Sequence, residues 1–167
     1  MSDSMFKLIP AEPGFVPPTS KHSAAIRKLE ELAPEGEEVE IRVYPHLEFI
    51  DQGENLEAII CPSCKKRLKI DHFSEDDPIG EWWQQANIDA DVHRGEDIFE
   101  LNPNATCLMP CCRSQVKFID LEFDWPAGFA SFELTVSNPN LETLTHQQIQ
   151  ELEQILGCRL KLIRAYY

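Results

Sequence analysis

Residues 62–71 read PSCKKRLKID, and residues 110–120 read PCCRSQVKFID. The two stretches share one plan: proline two residues before a cysteine, a basic residue after it, then an apolar-lysine-apolar run. Cys64 thus corresponds to Cys112, and Leu68-Lys69-Ile70 to Val116-Lys117-Phe118. Two copies of a turn feeding a strand predict a zinc-ribbon-like site. In such a site each turn presents thiolates to one side of a tetrahedron, and the strands hold the turns together.

The first turn, Cys61-Pro62-Ser63-Cys64, has the C-x2-C spacing of a metal knuckle. Under the repeat, the partner of Cys61 falls at position 109, which is methionine. A fourth ligand must then come from Cys111 or from Cys107, and spacing permits either; His72 and His93 are outside candidates. C-P-x-C also suits a thioredoxin-like redox pair, but such pairs sit at a helix N-terminus, which lowers the thiol pKa. Here Lys65 to Ile70 alternates like a strand. Buried, unligated cysteines are the plainer alternative. Cys158, after Gly157, is expected to fill the core.

Lys65, Lys66, Arg67, Lys69 and Arg113 cluster beside the cysteines. A four-thiolate zinc site carries two net negative charges, which nearby cations offset. The same patch would suit nucleic acid. However, the chain carries 29 acidic against 15 basic side chains and a formal charge of −14. That balance favours basic partners and opposes phosphate backbones and anionic membranes. A merely solvated acidic surface is the bland counterpart.

Outward from the knuckles, residues 1–20 hold Pro10, Pro13, Pro17 and Pro18 and are expected to form a Pro-rich extended arm. Ser20 is placed to cap a helix from Lys21 to Leu32, with Ala25, Ile26, Leu29 and Leu32 at helical spacing and Pro34 as its stop. Val39, Ile41 and Val43 alternate as in a half-buried strand that Pro45 interrupts, with Leu47 to Ile50 as its continuation. Asp77-Pro78 starts a second helix through Trp82, Trp83 and Ala86. Two adjacent tryptophans exceed what one helix face buries, so one of them is expected over a groove, unless both simply pack in the core. Residues 87–104 read as acidic loop; a D-x-D-x-H string there, Asp89, Asp91 and His93, has the donors for a divalent ion, although such strings are common in acidic loops.

Val116 to Trp125 suggests one long strand with a bulge near Ile119, and Phe132, Leu134 and Val136 alternate again. Thr145 with Gln148 makes a capping box before a helix that Gly157 ends, and Leu160 and Leu162 form a last strand. The expected architecture is α+β: a mixed sheet with packed helices and a zinc-ribbon-like site, in a single domain over 21–167 with knuckles at 61–64 and 107–112.

The strings PCCR, DLEFDWPAGFASFEL, VSNPN and LGCRLKLIRAYY resemble a bacterial family of unassigned activity. Its members carry CPxCG, a Trp-Trp pair, PCCG and a DWPxGFARF-like segment. The resemblance covers roughly residues 40 to 167, and Asp124 to Ala130 is its most specific part. Lys65 and Arg113 stand where that pattern has glycine after each knuckle. The family pattern keeps the adjacent cysteine pair without requiring a cysteine at 107. It therefore implies Cys61, Cys64, Cys111 and Cys112 as ligands of a structural Zn2+.

No apolar run reaches the length of a membrane span, and residues 1–20 lack the pattern of a signal peptide, so a cytoplasmic location is expected. A reducing compartment also argues against a disulfide framework for the six cysteines. The sequence contains no P-loop, no G-x-S-x-G elbow, no H-E-x-x-H and no dinucleotide fingerprint. The expected role is that of a non-catalytic, zinc-stabilised protein that binds another, basic protein. A nucleic-acid-associated zinc-ribbon protein and an enzyme of unrecognised type are the alternatives.

Overall fold

The computed structural model describes residues 3–71, 74, 76–93 and 99–167. Its larger layer is an antiparallel sheet in the order β11-β1-β10-β2, formed by β1 (Ser4–Pro10), β2 (Val39–Ile50), β10 (Gly128–Ser137) and β11 (Leu160–Tyr166). Two helices, α1 (Thr19–Leu32) and α3 (His146–Leu156), cover one face. Ala25 and Leu29 of α1 and Leu152 and Leu156 of α3 bury themselves against Phe6, Leu8, Phe132, Leu134 and Val136. Thr145 caps α3 in a reciprocal box with Gln148, and Gly157 ends it in the left-handed conformation (φ 76°) that glycine adopts without strain.

The expected Pro-rich arm over 1–20 is not what residues 4–10 form. Ser4–Pro10 is an interior strand paired on both edges, and the prolines begin only where it stops. Phe6 to Pro10 are buried without alternation: Phe6 and Leu8 lie under the helices, while on the other face Ile9 packs with Ile50, Ala130 and Ile163 and Lys7 is held by Tyr167 and Asp51. The sheet is antiparallel throughout its strand pairs and not mixed; one isolated parallel bridge joins Gly53 to Tyr166. Helix α1 starts at Thr19 behind Pro18, so Ser20 lies inside it and caps nothing. Pro45 does not interrupt β2. The strand is an edge with its bonded side on β10, and the register shifts opposite Pro45 between Ala130 and Phe132, where a residue without an N–H is tolerated.

The second layer is built from short pieces: β3 (Ala58–Ile60), β4 (Arg67–Lys69), α2 (Pro78–Ala90), β5 (Asp91–His93), β6 (Phe99–Leu101), β7 (Thr106–Leu108), β8 (Gln115–Lys117) and β9 (Glu122–Phe123). Asp77 caps α2 with Pro78 in its first turn. The segment expected as loop instead completes α2 and forms the β5–β6 pair. The expected long strand over 116–125 is broken by a 3-10 turn at Phe118–Asp120, which lets β9 cross over and pair with β3 of the first knuckle. Trp83 stacks on Phe118 with ring centroids 5.6 Å apart, and Phe49 and Phe129 carry this aromatic core to the large sheet.

Candidate metal centre

The repeat in the sequence is a repeat in space. In the first hairpin Ala58, Ile59 and Ile60 pair with Lys69, Leu68 and Arg67; in the second, Thr106, Cys107 and Leu108 pair with Lys117, Val116 and Gln115. The turns match bond for bond. Lys65 N–H donates to Cys61 O at 2.9 Å and Cys61 N–H to Lys66 O at 3.0 Å; Arg113 N–H donates to Met109 O and Met109 N–H to Ser114 O, both at 2.9 Å. Each turn then closes through a left-handed residue, Lys65 and Arg113, both at φ 59°. A glycine would sit there without strain.

These turns converge Cys61, Cys64, Cys111 and Cys112, whose four sulfurs lie within 4.8 Å of one another and can together hold a metal ion. Cys61 Sγ is 3.8 Å from Cys112 Sγ, and Cys64 Sγ is 3.5 Å from Cys111 Sγ. Both gaps exceed the roughly 2.05 Å of a disulfide bond. Cys61 is buried, Cys111 and Cys112 are half-buried, and Cys64 faces solvent. The exception to the symmetry is instructive. Met109 occupies the place of Cys61 and is fully buried, while Cys111, the counterpart of exposed Ser63, turns its thiol inward.

Cys107 is outside the group. It matches Ile59 in the hairpin register, and burial together with the nearby Cys61 pushes its thiol up to about 11. The Ser114 hydroxyl, 3.3 Å from Cys112 Sγ, and the Ser114 amide pull the Cys112 thiol down to about 6. Burial and the Cys64 contact push the adjacent Cys111 up to about 12. Opposite shifts on neighbouring thiols are what crowded sulfurs show when they share protons, and a cation among them would favour thiolate at each.

Among the described residues, two of the five basic residues beside the centre are paired locally. Lys65 Nζ meets Glu122 at 2.7 Å, and Arg67 meets Asp124 at 2.6 Å and Glu57 at 3.4 Å. Asp124 opens the segment that runs to Ala130. Within it, Trp125 lies under the Arg164 guanidinium at 5.0 Å, the Ala127 carbonyl accepts from Lys161 Nζ at 3.0 Å, and Phe129 enters the aromatic core. That segment therefore ties the knuckles to the large sheet.

Of the tryptophans, Trp83 is the core residue. Trp82 donates from Nε1 to the Leu108 carbonyl at 3.0 Å and borders a cavity of about 450 Å³ with Cys107, Met109 and Arg113. Cys158 is half-buried against the α1–α3 core. His72 lies outside the described residues, as does the side chain of His93; Asp89 instead accepts from Gln85 within α2 at 2.8 Å. Among the described residues, no helix is long and apolar enough to cross a membrane.

A group absent from the sequence reading lies on the open face of the large sheet. Lys7 Nζ donates to the Tyr167 hydroxyl at 2.6 Å and to the Asp51 carbonyl at 3.0 Å, and Tyr44 donates to the buried Glu133 at 2.7 Å. The signal was a single charge inside each of two apolar runs, Phe6-Lys7-Leu8 and Phe132-Glu133-Leu134. No protein-family model matches the chain, and no curated protein or solved structure matches it significantly.

Proposed function

We propose that Cys61, Cys64, Cys111 and Cys112 hold a structural zinc ion in a zinc-ribbon-like pair of knuckles, and that the protein works by binding a basic protein rather than by catalysis. The observation that carries the zinc assignment is the sulfur spacing. Four thiolates around zinc at about 2.3 Å stand about 3.8 Å apart, which the 3.5 and 3.8 Å gaps approach. Four chain ligands leave no open position for an activated water, which supports a structural role over a catalytic one. Reduced thiols suit a cytoplasmic setting. The charge of −14 supports rapid encounter with a basic surface. Pairing of Lys65 and Arg67 with neighbouring carboxylates favours local charge compensation over nucleic-acid contact.

The test is affinity capture from the native host at low and high salt, with random DNA as a competitor. A basic protein whose retention weakens as salt screens the contact is the expected result. Salt-sensitive retention of nucleic acid without a protein partner would overturn it.

A further inference from the structure

The face of the large sheet turned away from α1 and α3 carries two cavities, of about 330 and 650 Å³, that share Met5 and Tyr167 as a common wall. Glu48, Asp51 and Glu133 line the first, and Asp3, Glu37 and Glu38 the second. Against these carboxylates stand two cations, Lys7 and Arg42, both already engaged. Lys7 is 3.6 Å from Asp51 and bonded to Tyr167; Arg42 pairs with Glu40 and lies 3.7 Å from Glu133. The unmatched charge along the groove is therefore negative, and Asp3, Glu37, Glu38 and Glu48 are all exposed.

The floor suits cationic side chains. Tyr44 and Tyr167 present aromatic surface, and the Tyr167 ring already holds an ammonium, Lys7 Nζ, 5.2 Å from its centroid. Lys7 and Glu133 are only 7% and 3% exposed. Each pairs with a half-exposed partner, Lys7 with Asp51 and Glu133 with Arg42, so both pairs open onto the groove.

We propose that this groove is the docking surface for the basic partner, seating an extended segment of it with lysine or arginine side chains between the Asp3–Glu38 rim and the Glu48 wall. The site rests on the basic-partner proposal above and adds the surface that serves it.

The test uses the whole protein and a short fluorescent peptide of alternating lysine and serine, read by anisotropy. Two triple variants of equal net charge are compared. One neutralises the groove (Asp3→Asn, Glu38→Gln, Glu48→Gln); the other neutralises exposed carboxylates elsewhere (Glu12→Gln, Glu30→Gln, Glu142→Gln). All six positions are exposed, and circular dichroism verifies that both variants fold. The groove variant is expected to bind the peptide roughly tenfold more weakly, with the control within about twofold of wild type. Equal weakening in both would mean that the peptide senses only net charge; the groove would be overturned and the basic-partner proposal would stand. Spermidine binding as tightly as the peptide would make this a small-polyamine site and overturn docking. If neither a basic peptide nor a basic protein binds the wild type, the basic-partner proposal itself fails.

Discussion

In one layer of the molecule, β10 runs ten residues, is paired along both edges and is sealed by two helices. In the other, β3, β4, β7 and β8 are three residues each, and the turns between them expose Lys65, Lys66 and Arg113. Hairpins this short are at best marginal in water. Both layers bury an apolar core, and the second adds four converging thiols to which its three-residue hairpins are tied. The comparison teaches where a metal bound by the four thiols would matter: its removal should loosen the knuckles and leave the helix-covered sheet in place.

The largest expected effect breaks this comparison from the metal side. Cys64→Ser and Cys112→Ser should each lose the metal and lower stability on the order of 5 kcal/mol, or ~15 °C in Tm. Hydrogen exchange should rise at β7–β8 amides first, while β10 amides stay protected. Uniform loss of protection would contradict the division into two regimes. From the other side, Leu134→Ala in the sheet core should cost about 3 kcal/mol with metal content unchanged. Cys158→Ala, at the margin of that core, should cost about 1 kcal/mol and also leave the metal in place.

A smaller effect sharpens the likeness of the two turns. Arg113 holds a left-handed backbone, and no carboxylate partner for it is found among the described residues. Arg113→Gly should therefore gain roughly 0.5 kcal/mol by chemical denaturation. Lys65→Gly should gain less because it gives up the Glu122 contact. Equal gains would mean that the Lys65–Glu122 pair contributes nothing.

One pH response belongs to the sheet layer. Burial pushes the Asp51 carboxyl up, but the Tyr167 hydroxyl, the Gly53 amide and Lys7 together hold it below its ordinary value. A folded pKa below the unfolded value of about 3.9 gives stability that is complete above that pH. That stability is lost as pH falls through the folded value. Asp51→Asn should accordingly be less stable at neutral pH yet lose less on acidification than wild type, as denaturation at a series of pH values would show.

The same contrast explains what was legible in the sequence. Cysteine spacing and the Pro-x-Cys repeat report chemistry directly, so the two knuckles stand out although their strands are only three residues long. The choice of Cys111 over Cys107 came from the family resemblance. Spacing left it open because the symmetric position, Met109, is not a cysteine. Helix α3 was legible through its capping box and Gly157. Strand β1 was not, because an interior strand buried on both faces has no alternation to read, and the prolines behind it dominate the local pattern. The β5–β6 pair joins segments too short and too acidic to show periodicity. The polar groups on the open sheet face come from β1, β2, β10 and the C-terminal residues, and only the strand register brings them together.

Zinc-edge X-ray absorption on protein purified without added metal tests the identity of the four ligands most directly. About one zinc per chain in an all-sulfur first shell near 2.3 Å is the predicted result, kept in Cys107→Ser and lost in Cys111→Ser. A folded protein without zinc, or a site that survives Cys111→Ser and fails in Cys107→Ser, would contradict it.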